Sequence, residues 1–195
     1  MNKNLQLDTH LITEYEKLFL LKCSRDALIC FAGNKSYKIP EKAQKFPNLQ
    51  LNAATFVTLE KCTELRGCMG MLEPVQTLIN DVIENTRNSA LNDKRFLPVE
   101  LSEVEDIIIK ISVLTPPEDI DADSEEYLIQ NLVPFHDGLI INEGSQKATF
   151  LPSVWEKVSD PLEFIQHLKQ KAGFHKNYWS DGLHFQKYQT IEFCE

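Results

Sequence analysis

Ala53-Ala54-Thr55-Phe56-Val57-Thr58-Leu59-Glu60-Lys61-Cys62-Thr63-Glu64-Leu65-Arg66-Gly67-Cys68-Met69-Gly70-Met71 holds two extended segments with a polar break between them. Residues 53–60 alternate, with β-branched and aromatic content, as a strand does. Residues 61–64 form a polar turn, and 65–71 return as a second strand, so the stretch predicts a hairpin. A helix is expected directly afterwards. Pro74 suits a first helical position. Val75, Leu78, Ile79, Val82, Ile83 and Ala90 form a stripe at three- and four-residue steps, ending near Asn92-Asp93. Strand pairs mixed with helices, without a βαβ rhythm, indicate α+β.

The flanks agree. On the N-terminal side a helix is expected over 13–31, where Thr13 and Glu16 have capping-box spacing. Gly33-Asn34 stops it, and a lysine-rich link with Pro40 and Pro47 follows. On the C-terminal side, Phe96, Pro98 and Val99 begin an extended link. Residues 106–114 read as a strand ended by Pro116-Pro117, and 125–132 as a short helix. Strands at 138–142 and 147–151 flank a turn at Gly144-Ser145. Pro152 opens a short helix through 158. Asp160 caps another, striped by Leu162, Phe164, Ile165 and Leu168 and ended by Gly173. Residues 184–193 are expected as one last strand. The expected architecture is α+β, with mixed or antiparallel sheets and packed helices in two lobes of one domain spanning 1–195.

Composition narrows the function. The chain has 195 residues and a formal net charge of −9, so it has no basic field for a nucleic-acid backbone. Its 43% hydrophobic and 25% charged content is that of a folded domain. Residues 1–10 are polar and the apolar run after them is short, so no signal peptide is expected. No run reaches membrane-span length. The five cysteines are irregularly spaced and predict no disulfide framework. Cys23 and Cys30 share a helical face, and Cys62 with Cys68 is not a CxxC pair. A reduced, cytoplasmic protein is expected. His10, His167, His175 and His184 lack ligand spacing, and there is no Walker loop, GxGxxG or GxSxG. No metal or cofactor is expected.

Seven glycines is a low count, and two of them, Gly67 and Gly70, flank Cys68. In an extended segment Arg66, Cys68 and Gly70 share one face, while Leu65, Met69 and Met71 face a core. Arg66 and Cys68 then lie ~6.6 Å apart along the strand. A neighbouring cation favours thiolate, and the glycines leave room for a ligand. A helix N-terminus at Pro74 would favour an anion. The same residues also suit a structural role: free cysteine packs as a small hydrophobe, and a glycine pair marks a bulge. Arg95, beside Asp93, either clamps a carboxylate or phosphate or belongs to a solvated helix end, with Phe96 docked in the core. His136-Asp137-Gly138 reads as a turn before it reads as a catalytic base. Trp155 and Trp179 read as packing anchors.

Six segments in order resemble the AMMECR domain family, known in many bacteria and archaea as AmmeMemoRadiSam system protein A. Leu65-Arg66-Gly67-Cys68-Met69-Gly70 is similar to its LRGCIG signature. Asp93-Lys94-Arg95-Phe96-Leu97-Pro98 is similar to its DPRFPP. Ile111-Ser112-Val113-Leu114-Thr115-Pro116-Pro117 is similar to VSVLTPP, and Asp137-Gly138-Leu139 to its DGL or HGL. Leu151-Pro152-Ser153-Val154 is similar to LPQV, and Lys171-Ala172-Gly173-Phe174 to KAGL. Met69, Lys94 and Ser153 depart from the usual residues. Lys169 stands where the family often has a cysteine, so a two-cysteine mechanism through that position is excluded.

The resemblance implies an α+β fold in two lobes, with the RGCxG segment near a cleft. It also implies association with a Memo-like protein and a radical SAM protein, which would supply any redox cofactor. It brings no established reaction. The binding positions it suggests are Arg66, Gly67, Gly70, Asp93, Arg95, Asp137 and Lys171. Three roles remain open: a binding or adaptor module, an enzyme using Cys68 as nucleophile or carrier with Arg66 and Arg95 holding an anionic group, and a purely architectural segment.

Overall fold

The hairpin forms. In the computed structural model, which describes residues 12–195, β1 (Thr55–Lys61) pairs antiparallel with β2 (Glu64–Gly70). The polar stretch 1–10, with His10, lies outside the described residues. Cys62 and Thr63 turn the chain with φ of 52° and 66°, the two-residue geometry whose twist matches a hairpin. β1 also pairs antiparallel with β3 (Ile107–Leu114), and β8 (Thr190–Cys194) completes the order β2-β1-β3-β8. Val57 and Leu59, with Ile107, Ile109, Ile111 and Val113, put the buried half of the alternation on one face. α1 (Glu14–Ala32) and α2 (Leu78–Leu91) supply Leu20, Leu28, Leu78 and Val82 to that core. Burying each such side chain stabilises by ~1.5–3 kcal/mol. α1 starts with the expected box: Glu16 N–H donates to Thr13 Oγ1 at 3.2 Å, and Thr13 N–H to the Glu16 carboxylate at 2.9 Å.

α2 begins at Leu78, not at Pro74. Residues 74–77 instead run beside 51–53. Ala53 N–H donates to the Gln76 carbonyl at 3.2 Å and Leu78 N–H to the Leu51 carbonyl at 2.8 Å, with a bridge between Asn52 and Thr77. This pairing satisfies backbone groups that a helix begun at Pro74 would need for itself. Three 3₁₀ turns, Glu41–Lys45, Pro47–Gln50 and Leu101–Asp106, were not expected from the sequence.

The chain divides into two compact units. One runs through Leu114 and takes back Ile191–Glu195; the other is Thr115–Thr190. The second unit has the sheet β4-β7-β5-β6, built antiparallel from β4 (Glu118–Ile120), β5 (Gly138–Glu143), β6 (Gln146–Phe150) and β7 (His184–Tyr188). α3 (Glu125–Gln130), a 3₁₀ turn at Pro152–Glu156 and α4 (Pro161–Lys171) accompany it. Its core is centred on buried Trp155, which stacks on Phe164 with ring centroids 3.7 Å apart. Asp160 caps α4 by accepting from Glu163 N–H at 2.9 Å.

The last strand is two strands, not one. Gln189 N–H donates to Thr115 Oγ1 at 2.8 Å, and its carbonyl accepts from Thr115 N–H at 2.8 Å. Those bonds take Gln189 out of the ladder, so β7 stays in the second sheet and β8 joins the first. No helix among the described residues is long and apolar enough to cross a membrane.

Candidate functional site

β2 is an edge strand, and its outer backbone groups need partners. The segment after α2 supplies them. Cys68 N–H donates to Asp93 Oδ2 at 2.9 Å, and the Cys68 carbonyl accepts from Arg95 Nη2 at 3.1 Å. Arg95 folds back on Asp93, donating through Nε at 2.9 Å and Nη2 at 2.6 Å. Asp93 is buried, and the Arg95 guanidinium, with the Cys68 and Arg95 amides, holds its carboxyl down at about 2. The same pairing raises the Arg95 pKa.

Alternation breaks at Arg66. The β1–β2 register shifts between Leu59 and Glu60, leaving Arg66 without a cross-strand partner, as in a bulge. Its guanidinium grips Glu103 in the 3₁₀ turn through Nε at 3.2 Å and Nη2 at 2.7 Å. It also donates to the Leu97 carbonyl at 2.9 Å and the Pro98 carbonyl at 3.3 Å. Lys61 adds a bond to Glu103 at 3.1 Å. Arg66, then the Glu100 amide and Lys61, hold the Glu103 carboxyl at about 2. Phe96 lies beside both cations, its ring centroid 6.0 Å from Arg66 and 5.6 Å from Arg95.

The two glycines are filled from inside the protein. A methyl on Gly67 would overlap the Ser89 carbonyl of α2, and one on Gly70 would overlap the Phe56 ring and the Thr55 carbonyl. The approach at Gly67 lets the buried Ser89 hydroxyl enter the hairpin: it donates to the Val57 carbonyl at 2.6 Å and accepts from Met69 N–H at 2.8 Å. Cys68 is half-buried, and its Sγ accepts from Thr58 Oγ1 of the cross-strand neighbour at 3.2 Å. Leu65 and Met69 do not face a closed core: Leu65 is exposed and Met69 half-buried. α2 packs over this part of the hairpin so closely that only glycine fits beneath Ser89.

The helix start at Leu78 also removes the Pro74 N-terminus from the neighbourhood once expected of it. The first turn of α2 is used internally. Fully buried Asp81 accepts from Thr55 N–H at 2.8 Å, Thr55 Oγ1 at 2.6 Å, Gln76 at 3.0 Å and Asn85 at 2.9 Å. Burial pushes its carboxyl up against these bonds.

Arg66, Gly67, Cys68, Gly70, Asp93 and Arg95 therefore come together at one edge of the first unit. Asp137 and Lys171 belong to the second unit and make their contacts there. Buried Asp137 accepts from Val133 N–H at 2.9 Å and from Gln189 at 3.2 Å, and its carbonyl accepts from Trp155 Nε1 at 2.7 Å. Lys171 donates to the Thr149 carbonyl at 2.9 Å and sits 5.2 Å from the Phe150 ring. His136 is exposed. Lys169 is 1% exposed, bonded to Glu125 at 2.5 Å with its ammonium 5.2 Å from the Trp179 ring. Sequence reasoning missed Glu103, Ser89 and Thr58. Only Glu103 left a local trace, as the far end of an acidic capping box with Glu100. No three His, Cys, Asp or Glu side chains among the described residues form a group that could hold a metal ion.

This fold and edge define an α+β protein of two units whose RGC hairpin is braced by a DKRF segment. A sequence model of the AMMECR1 family matches residues 21–193, and the chain belongs to that family. It is 34% identical over 172 residues to a protein of Methanopyrus kandleri, covering 86% of this chain and 82% of that protein. It is 31% identical over 189 residues to one of Methanocaldococcus jannaschii, covering 95% and 92%. The crystal structure of an uncharacterized protein from Pyrococcus horikoshii superposes with a TM-score of 0.84 at 31% identity, covering 91% of this chain and 90% of that one.

Proposed function

We propose that the protein is a cytoplasmic binding or adaptor module, with the β2 edge as its docking surface. The supporting observation is that both guanidiniums at the edge are engaged by the protein itself: Arg66 by Glu103 and two carbonyls, Arg95 by Asp93 and the Cys68 carbonyl. Cations so held are poor anion clamps and good braces. What they brace is an apolar rim, with Leu97 83% exposed, Leu101 54% and Leu65 39%, and exposed apolar groups on a rigid support suit a protein partner. The family resemblance points to a Memo-like protein and a radical SAM protein as those partners, within a modification system. Titration of either partner onto the full chain tests this. Leu97→Asp should abolish binding without lowering thermal stability; no association at micromolar concentration by either protein defeats the proposal.

The second reading is an enzyme with Cys68 as nucleophile or carrier. It is favoured by the half-buried thiol bonded to Thr58 Oγ1. Its test is the alkylation rate of Cys68 against pH in the folded chain. A rate no greater than that of a free cysteine peptide at neutral pH removes it.

A further inference from the structure

Each of the two sheets has two edges, and the chain guards three of these edge strands. On β2 the Cys68 N–H and carbonyl are taken by Asp93 and Arg95. On β6 the Thr149 carbonyl accepts from Lys171 at 2.9 Å, and β4 is only three residues long. Such devices keep an edge strand from pairing with another chain. β8, at the opposite side of its sheet from β2, has no such cap among the described residues.

The backbone groups left open on β8 follow from its register. Glu195 N–H donates to the Ile109 carbonyl at 3.4 Å, and Ser112 Oγ donates to Glu192 at 2.9 Å. Ladder bonds alternate along an antiparallel strand. Ile191, Phe193 and Glu195 therefore bond to β3, and the N–H and C=O of Glu192 and Cys194 point outward. No hydrogen bond among the described residues outside the ladder uses them. No residue of β8 is buried, and Glu192 and Cys194 are exposed. The two faces are sorted: Phe193 packs against the first core, and Glu192 stands with Ser112 on the other side.

Open donors and acceptors at this spacing fit one kind of ligand, an extended peptide. Charge chooses its source. A second copy of the chain would bring its own Glu192 to the same edge and its own net charge of −9, like charges that oppose pairing. A lysine or arginine opposite Glu192 is favoured instead. We propose that the β8 edge takes an extended segment of another protein as a fifth strand of this four-stranded sheet, with a basic residue opposite Glu192 and apolar residues beside Ile191 and Phe193.

Hydrogen exchange and calorimetric titration of the full chain test this. The probe is a short peptide that alternates valine and threonine around one central lysine, and the control carries glutamate in place of that lysine. In the free chain the Glu192 and Cys194 amides should exchange faster than the Phe193 amide, and saturating lysine peptide should slow both. The lysine peptide should bind saturably, more weakly as salt rises, and about fivefold more tightly than the control. Glu192→Lys should reverse that preference. Cys194→Pro removes an outward N–H and no ladder bond; it should weaken the lysine peptide about tenfold or more while melting at the parental temperature. The charge reversal at Glu192 keeps the test decisive if proline disturbs the strand. No saturable binding of the lysine peptide, an unchanged preference in Glu192→Lys, or slow exchange at Glu192 and Cys194 in the free chain overturns the proposal. A chain that sediments as a dimer, and as a monomer once Cys194 is proline, makes a second copy the occupant and overturns it as well.

Discussion

Arg66 and Arg95 at the β2 edge are each held by a carboxylate, whereas the exposed Asp121 and Asp181 of the second unit have no charged partner among the described residues. At the edge, charge serves as scaffolding. Asp93 closes a backbone group that an edge strand leaves open, Glu103 holds the Arg66 guanidinium, and the energy resides in geometry that one substitution can disturb. At Asp121 and Asp181 the side chains are exposed, and substitution there should leave stability alone. The contrast separates charges that the fold is built on from charges that it leaves at the surface.

The largest effect is expected at Gly67. Alanine there overlaps the Ser89 carbonyl, so α2 must move off the hairpin and the Ser89 bridge between Val57 and Met69 must open. Overpacking against backbone destabilises by about 3 kcal/mol or more, readable as a lowered urea midpoint. If Gly67→Ala unfolds like the parent, the close contact with α2 is not a constraint. Next is Asp93→Ala, which strips Cys68 N–H and Arg95 of their shared acceptor. Loss of a buried, charge-assisted acceptor costs about 2–3 kcal/mol.

The pH dependence of stability sharpens the same comparison. Asp93 and Glu103 titrate at about 2 in the folded chain, below the roughly 4 of unfolded carboxylates. Their folded pKa values are depressed, so the stability they contribute is complete above about pH 4 and is lost as pH falls through about 2. Urea midpoints measured down this range should fall, and the fall should be shallower in Asp93→Asn. A parent and variant with parallel profiles would remove Asp93 from the bracing role. The smallest effect is expected in the second unit: Asp121→Asn, at an exposed position, should change stability by no more than about 0.5 kcal/mol, and a larger loss would mean that Asp121 is structural after all.

What was legible in the sequence was local. The Thr13–Glu16 box, the Asp160 cap and the hairpin at 55–70 are set by neighbours within a few residues, and each formed as read. What was not legible depends on distant partners. Pro74 looks like a helix start until residues 51–53 take up the backbone groups of 76–78. The strand at 184–193 looks continuous until Thr115 claims both backbone groups of Gln189. At the site, simple alternation placed Arg66 beside Cys68, but the register shift and Glu103, far along the chain, redirect its guanidinium. The signature brought six residues to one edge and left Asp137 and Lys171 to their own unit, a division that spacing alone does not reveal.

The most direct measurement is the affinity of the Memo-like protein for the parent chain, Cys68→Ser and Leu97→Asp, titrated side by side. If the edge is a braced docking surface, Cys68→Ser binds within about twofold of the parent and Leu97→Asp does not bind. If Cys68→Ser abolishes binding while Leu97→Asp retains it, the thiol is the functional group and the docking surface is wrong.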